Sequence, residues 1–180
     1  MSRKPLLSTR KMVLDAMLAA MCAVLGYLAI DLGSIKVTLE SIPIMLGAVL
    51  FGPADGCLIG LVGTLVYQLL RYGLSVTTLL WILPYVVCGL LDGLLARRLA
   101  FRPSRLQTLL IIVLSELVVT TLNTGVLYLD SKIYGYYYPA LIVGMLALRY
   151  VVCVVKAVVT GLVFPPLLRM IRKLPFLTQS

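Results

Sequence analysis

The chain has 180 residues, of which 61% are hydrophobic and only 13% charged, with a formal net charge of +9 and no histidine. Soluble domains carry about 45–50% apolar and about 25% charged residues, so this composition excludes an ordinary soluble enzyme, a disordered chain and a secreted disulfide scaffold. At about 20 apolar residues per crossing, the length allows roughly six membrane spans.

Arg3, Lys4, Arg10 and Lys11 open the chain and lead into an apolar run, with a predicted first span over residues 12–31. The run is too long for the apolar region of a typical signal peptide, and it reads as an uncleaved helix. The stretch from Asp31 to Ser41 alternates apolar and polar residues, a strand-like pattern, and predicts a structured outer loop. A short helix follows over 42–52, opened by Pro43, which suits a first helical turn. After the breaker at Gly52-Pro53 comes a helix over 54–71 with Gly56, Gly60 and Gly63, spaced for close helix packing in lipid. Further spans are expected over 76–99, 106–129 and 140–171. Together they form one transmembrane domain, residues 1–180, an all-α six-helix bundle.

Basic residues collect in cytoplasmic loops. With the N-terminus inside, eleven of the 16 Lys and Arg residues fall on inner segments and three (Lys36, Arg71, Lys132) on outer ones. Both termini are therefore expected in the cytoplasm. The four cysteines, Cys22, Cys57, Cys88 and Cys153, are scattered through apolar runs without metal or redox spacing. No phosphate-binding loop, metalloprotease motif or nucleophile elbow is present. Neither catalysis, nor a cofactor or metal, nor nucleic-acid binding is expected.

Three charges within predicted spans stand out: Glu116, Arg149 and Lys156. Helical rise places Glu116 about 15 Å and Lys156 about 18 Å above the inner face, level enough to form a charge pair joining the last two helices. Asn123 and Arg149 lie at about 25 and 28 Å, under the outer loops. Arg149 has no acid at its own depth on the fifth helix. Its rigid fork of donors suits a ligand carboxylate or phosphate, or alternatively a bond to Asp31, Glu40 or Asp130. Tyr67, Gln68, Arg71, Trp81, Tyr85 and Tyr128 gather near the same level, either as an interfacial aromatic belt or as the lining of a pocket. On the first helix, Ala16, Ala19, Ala20 and Ala23 make a small-residue stripe for internal packing or for docking another helix.

With these residues in view, the chain resembles an S component, the substrate-binding membrane subunit of an energy-coupling factor (ECF) vitamin transporter. The resemblance rests on Leu14-Asp15-Ala16-Met17-Leu18-Ala19-Ala20-Met21-Cys22-Ala23, the loop Gly33 to Pro43, Leu50-Phe51-Gly52-Pro53, Gly56-Cys57-Leu58-Ile59-Gly60 and Leu122-Asn123-Thr124. The folate-type branch is most similar and the pantothenate-type branch is close. The resemblance implies a multi-pass protein of the bacterial cell membrane that binds a water-soluble vitamin among its outer loops. Arg149, Asn123, Arg71, Tyr67, Gln68, Trp81, Lys36 and Tyr128 are the expected ligand residues. It also implies that the alanine stripe meets a transmembrane coupling subunit, with two ATPase subunits completing an ABC-type importer. Many relatives carry an acid midway along the third helix, where this chain has Gly63-Thr64-Leu65-Val66-Tyr67. The alternative reading is a stand-alone proton-coupled carrier working through Glu116 and Lys156.

Overall fold

In a computed structural model, which describes residues 9–31, 36–101 and 103–172, six helices and one short hairpin follow in chain order. They are α1 (Thr9–Tyr27), β1 (Ile30–Asp31), β2 (Lys36–Val37), α2 (Ser41–Phe51), α3 (Pro53–Tyr72), α4 (Thr78–Arg98), α5 (Arg105–Ile133) and α6 (Pro139–Arg172). The strands pair antiparallel, Ile30 with Val37 and Asp31 with Lys36, on the segment whose alternation predicts extended structure. Side chains of Arg10, Ile30, Asp31, Lys36 and Arg172 lie outside the described set, as do Arg3, Lys4, Arg102 and Lys173 altogether.

Local chemistry sets the helix ends. Gly52 and Gly73 take φ of +114° and +71° on either side of α3, a backbone region that a residue without Cβ enters cheaply. Ser104 begins α5 through a reciprocal capping box: its hydroxyl accepts from the Gln107 N–H, and the Gln107 side chain accepts from the Ser104 N–H. That pairing satisfies two donors otherwise left over at a helix start. α5 runs to Ile133, one turn past its expected end, because Asp130 and Ser131 continue the helix and are buried.

α2 is the axis of the core. Residues Ser41 to Val49 are all buried, with α1, α3, α4 and α6 packed around them. A helix that is apolar on every side belongs inside a bundle, and α2 therefore does not have to span lipid by its own length. α3 to α6 are each long and apolar enough to cross a membrane. α2, at 11 residues, is too short, and α1 carries Arg10, Lys11 and Asp15 within its first two turns. The exterior is itself apolar: Val143, Leu148, Val151, Val154, Val158 and Leu162 of α6 are exposed, as a lipid-facing helix requires.

The expected glycine contacts are realised between α3 and its neighbours. A Cβ at Gly56 would lie 2.7 Å from the Gly89 carbonyl oxygen of α4, and one at Gly60 would lie 2.7 Å from the Tyr85 carbonyl oxygen. A Cβ at Gly63 would meet the Cys22 Cβ of α1 at 2.6 Å. These three positions bring the α1, α3 and α4 backbones to a separation that only glycine allows.

Candidate functional site

The polar groups of the bundle form an interior network between the hairpin, α2, α4, α5 and α6. Glu40, directly before α2, is 1% exposed and accepts a hydrogen bond from the Thr38 hydroxyl at 2.8 Å. Ser41, the first residue of α2, donates to Glu116 of α5 at 2.6 Å. The other oxygen of Glu116 lies 2.9 Å from the Lys156 Nζ of α6, so the pair that depth arithmetic expects is present and fully interior. One helical turn below Cys88, Asp92 of α4 accepts from the Cys88 thiol at 3.4 Å and from the Ser115 hydroxyl. Lone buried charges are prohibitive in such an interior, and bonded ones are tolerated.

Above this network lies a small chamber of about 70 Å³, lined by Thr38, Tyr85, Val119, Thr120, Asn123, Arg149, Val152 and Lys156. Asn123 donates to the Tyr85 hydroxyl at 3.5 Å. Arg149 is half-buried, and its Nε has no hydrogen-bond partner. Among the described residues no acid forms a salt bridge with it. Of the acids considered for that role, Glu40 is bonded by Thr38 and Asp130 by Trp81 and Tyr136, while the Asp31 side chain lies outside the described set. Arg149 and Lys156, seven residues apart, share one face of α6 and bring two cations to one chamber.

A larger cavity of about 280 Å³ lies at the end of the bundle that carries the hairpin, lined by Gln68, Tyr72, Ser75, Thr77, Trp81, Asp130 and Tyr134. Trp81 and Tyr85 are one helical turn apart on α4, about 6 Å, so the outer cavity sits almost directly above the inner chamber. Asp130 is the junction. One oxygen accepts from the Trp81 indole at 3.2 Å and the other from the Tyr136 hydroxyl, tying the α5–α6 loop to the head of α4. Burial and the adjacent Asp130 carboxylate push the Tyr136 phenol up to about 12.

The expected ligand residues therefore divide. Asn123 and Arg149 meet in the inner chamber; Gln68 and Trp81 meet in the outer cavity. Tyr67 is buried against Gly26 and edge-on to Tyr72. Arg71 donates to the Tyr27 carbonyl at 2.9 Å and binds α3 to the end of α1. Tyr128 is exposed and stacks edge-on with Tyr137, with Lys132 over both rings. Lys36 lies on β2, with its side chain outside the described set. Thr38 and Thr120 line the inner chamber although neither was an expected ligand residue, and Tyr134, one of the tyrosines clustered between α5 and α6, lines the outer cavity. Thr38 had a signal in the alternating loop, whereas an isolated Thr120 offers none.

The alanine stripe divides as well. Ala19 and Ala23 are buried inside the chain, while Ala16 and Ala20 are exposed beside Met12, Met17 and Met21. At 100° per residue the two pairs point in directions 60° apart, and α3 covers only one of them. At the far end of α1, Lys11 forms a 2.7 Å salt bridge with Asp55 of α3. Among the described residues no group of three His, Cys, Asp or Glu could hold a metal ion.

Residues 10–168 match the family model described as ECF transporter, substrate-specific component. No curated protein matches the chain. The match takes in all six helices almost entirely, and the chain belongs to this family.

Proposed function

As a substrate-specific component of an ECF transporter, we propose, this chain captures a water-soluble vitamin that bears a carboxylate, with a folate-like molecule first and pantothenate next. The observation that carries the reading is Arg149, a half-buried guanidinium with no acidic partner among the described residues, on the wall of a chamber it shares with Asn123 and Lys156. A cation held in that way is a pre-arranged partner for an anion, because charge-assisted bonds in a low-dielectric site exceed neutral ones. The inner chamber has room for a carboxylate group and not for a ring system. The aromatic walls of the outer cavity, Tyr72, Trp81 and Tyr134, suit a flat body above it, which favours the folate-like ligand.

In this reading both termini face the cytoplasm of a bacterial cell and the ligand enters from outside. The exposed Ala16 and Ala20 meet the transmembrane coupling subunit, and two ATPase subunits supply the energy. The Glu116–Lys156 pair joins α5 to α6. Uptake that requires the coupling and ATPase subunits separates this reading from a stand-alone proton-coupled carrier, in which uptake by this chain alone is abolished by an uncoupler.

Mass spectrometry of the small molecule that co-purifies with the protein identifies the ligand directly. Calorimetry with folate and with pantothenate should show saturable binding of one of them, lost or strongly weakened in Arg149→Ala. Unchanged affinity in Arg149→Ala would remove the assignment.

A further inference from the structure

Three carboxylates are almost wholly removed from water in the interior, Glu40, Asp92 and Glu116, against one ammonium, Lys156. Among the described residues Lys156 is within salt-bridge distance of Glu116 alone, and Asp92 takes donors from Ser115 and Cys88. Glu40 accepts from the Thr38 hydroxyl at Oε1 and has the Tyr85 hydroxyl beside it, while Oε2 is buried with no partner within hydrogen-bond distance. Gly26 makes room for it: a Cβ there would lie 2.7 Å from Oε2. The groups that face this carboxylate are Cys22 of α1, Tyr67 of α3, Tyr85 of α4, Glu116 of α5 and Lys156 of α6. Thr38 and Tyr85, its nearest polar neighbours, are also walls of the inner chamber.

We propose that Glu40 is held as the neutral acid, and that this neutrality leaves the positive charge of the chamber free for an incoming anion. Removal from water opposes an ionised carboxylate here, and the nearby Lys156 ammonium is already held by Glu116. With a proton on Oε2, that oxygen becomes a donor in place of an unmatched acceptor, and Oε1 keeps its bond from Thr38. Glu116 and Lys156 cancel, and the Arg149 charge remains. Loss of the proton would place a negative charge directly behind the Thr38–Tyr85 wall, where it would compete with the ligand for the same cations. Glu40 is thus a positioning residue, which acts on the ligand through the chamber wall and through charge. The inference extends the anion-binding reading of Arg149.

A protonated carboxyl has an infrared carbonyl band that a carboxylate lacks. Spectra of the purified full chain at neutral pH should contain such a band that is absent in Glu40→Gln and that fades in the wild type as pH rises. Thr38→Val, which removes the donor to Oε1 and leaves Glu40 in place, should move the band to higher frequency. Calorimetry with folate and pantothenate should show wild-type affinity falling about tenfold as Glu40 ionises, the size expected for one unit charge acting across about 10 Å of protein. At the alkaline end Glu40→Gln should bind more tightly than the wild type. Spectra in which neither substitution alters a carboxyl band at neutral pH would overturn the proposal. So would a Glu40→Gln affinity profile that follows the wild type. If the band behaves as stated while neither vitamin binds, the ligand reading fails and the assignment of Glu40 stands.

Discussion

The α1–α4 half of the bundle and the α5–α6 half are built on opposite principles. In the first, glycines set the spacing: Gly56 faces Gly89, Gly60 faces the Tyr85 carbonyl and Gly63 faces Cys22, so backbones touch and no buried ion pair is needed deep between the helices. In the second, long polar side chains reach across wider gaps: Glu116 to Lys156, Thr121 to Tyr150, and Arg149 into a chamber. Close backbone packing gives a rigid wall that excludes everything else. Side-chain packing leaves space, and space lined with donors is what a ligand can occupy. At the seam between the halves, Tyr85 and Trp81 of α4 face Asn123 and Asp130 of α5, and this is where the proposed ligand would bind.

The comparison breaks most visibly at Lys156. Lys156→Met strands Glu116 as an uncompensated interior carboxylate, and loss of one partner of a buried pair costs about 3–5 kcal/mol. Thermal denaturation in detergent should show a large fall. The double variant Lys156→Met, Glu116→Gln should recover much of it, because an uncharged pair no longer requires a counter-ion. A double variant as unstable as the single one would show that packing rather than charge holds α5 to α6.

Arg149→Ala tests the same half for binding. Truncating one member of a desolvated charge pair costs about 2–5 kcal/mol, so ligand affinity should fall at least about thirtyfold while the melting temperature moves little. In the glycine half the sign reverses. Gly89→Ala drives a methyl into the Gly56 carbonyl, and overpacking costs about 1–3 kcal/mol. Stability should drop with the intrinsic ligand affinity of the folded fraction preserved. A variant with unaltered stability and impaired binding would erase the division of labour between the halves.

Much of this architecture is legible in the sequence, and for physical reasons. Apolar length fixes helices, so the elements fall close to the expected ranges; the glycine series marks α3, and rise per residue alone pairs Glu116 with Lys156. The interior short helix was legible too, from Pro43 and the breaker at Gly52-Pro53. The azimuth of polar residues was not. Depth puts Arg71, Trp81, Asn123 and Arg149 at one level, but rotation about each helix axis sends Arg71 to the end of α1, Trp81 to the outer cavity and Arg149 to the inner chamber. Ala16 and Ala19 separate for the same reason. Glu40 was legible only as a possible partner for Arg149, not as a buried acid, because a carboxylate in a polar loop reads as solvated, whereas α2 carries the chain inward immediately after it.

The smallest expected effect lies at the seam itself. Trp81→Phe removes one donor to Asp130 and keeps an aromatic wall, a loss of about 0.5–1.5 kcal/mol, visible as faster hydrogen exchange around the α5–α6 loop. The other donor, Tyr136, adds a pH dependence of definite sign. Its phenol titrates near 12 in the folded chain against 10 for an ordinary tyrosine, so its contribution is complete below pH 10 and is lost as the pH rises toward 12. Phenolate absorbance should show one late-titrating tyrosine that Tyr136→Phe removes and Asp130→Asn shifts back toward the ordinary range. If Asp130→Asn leaves that titration where it is, the Tyr136–Asp130 bond does not set the loop. Of the two donors to Asp130, only the Trp81 indole would then act, latching α5 to the head of α4.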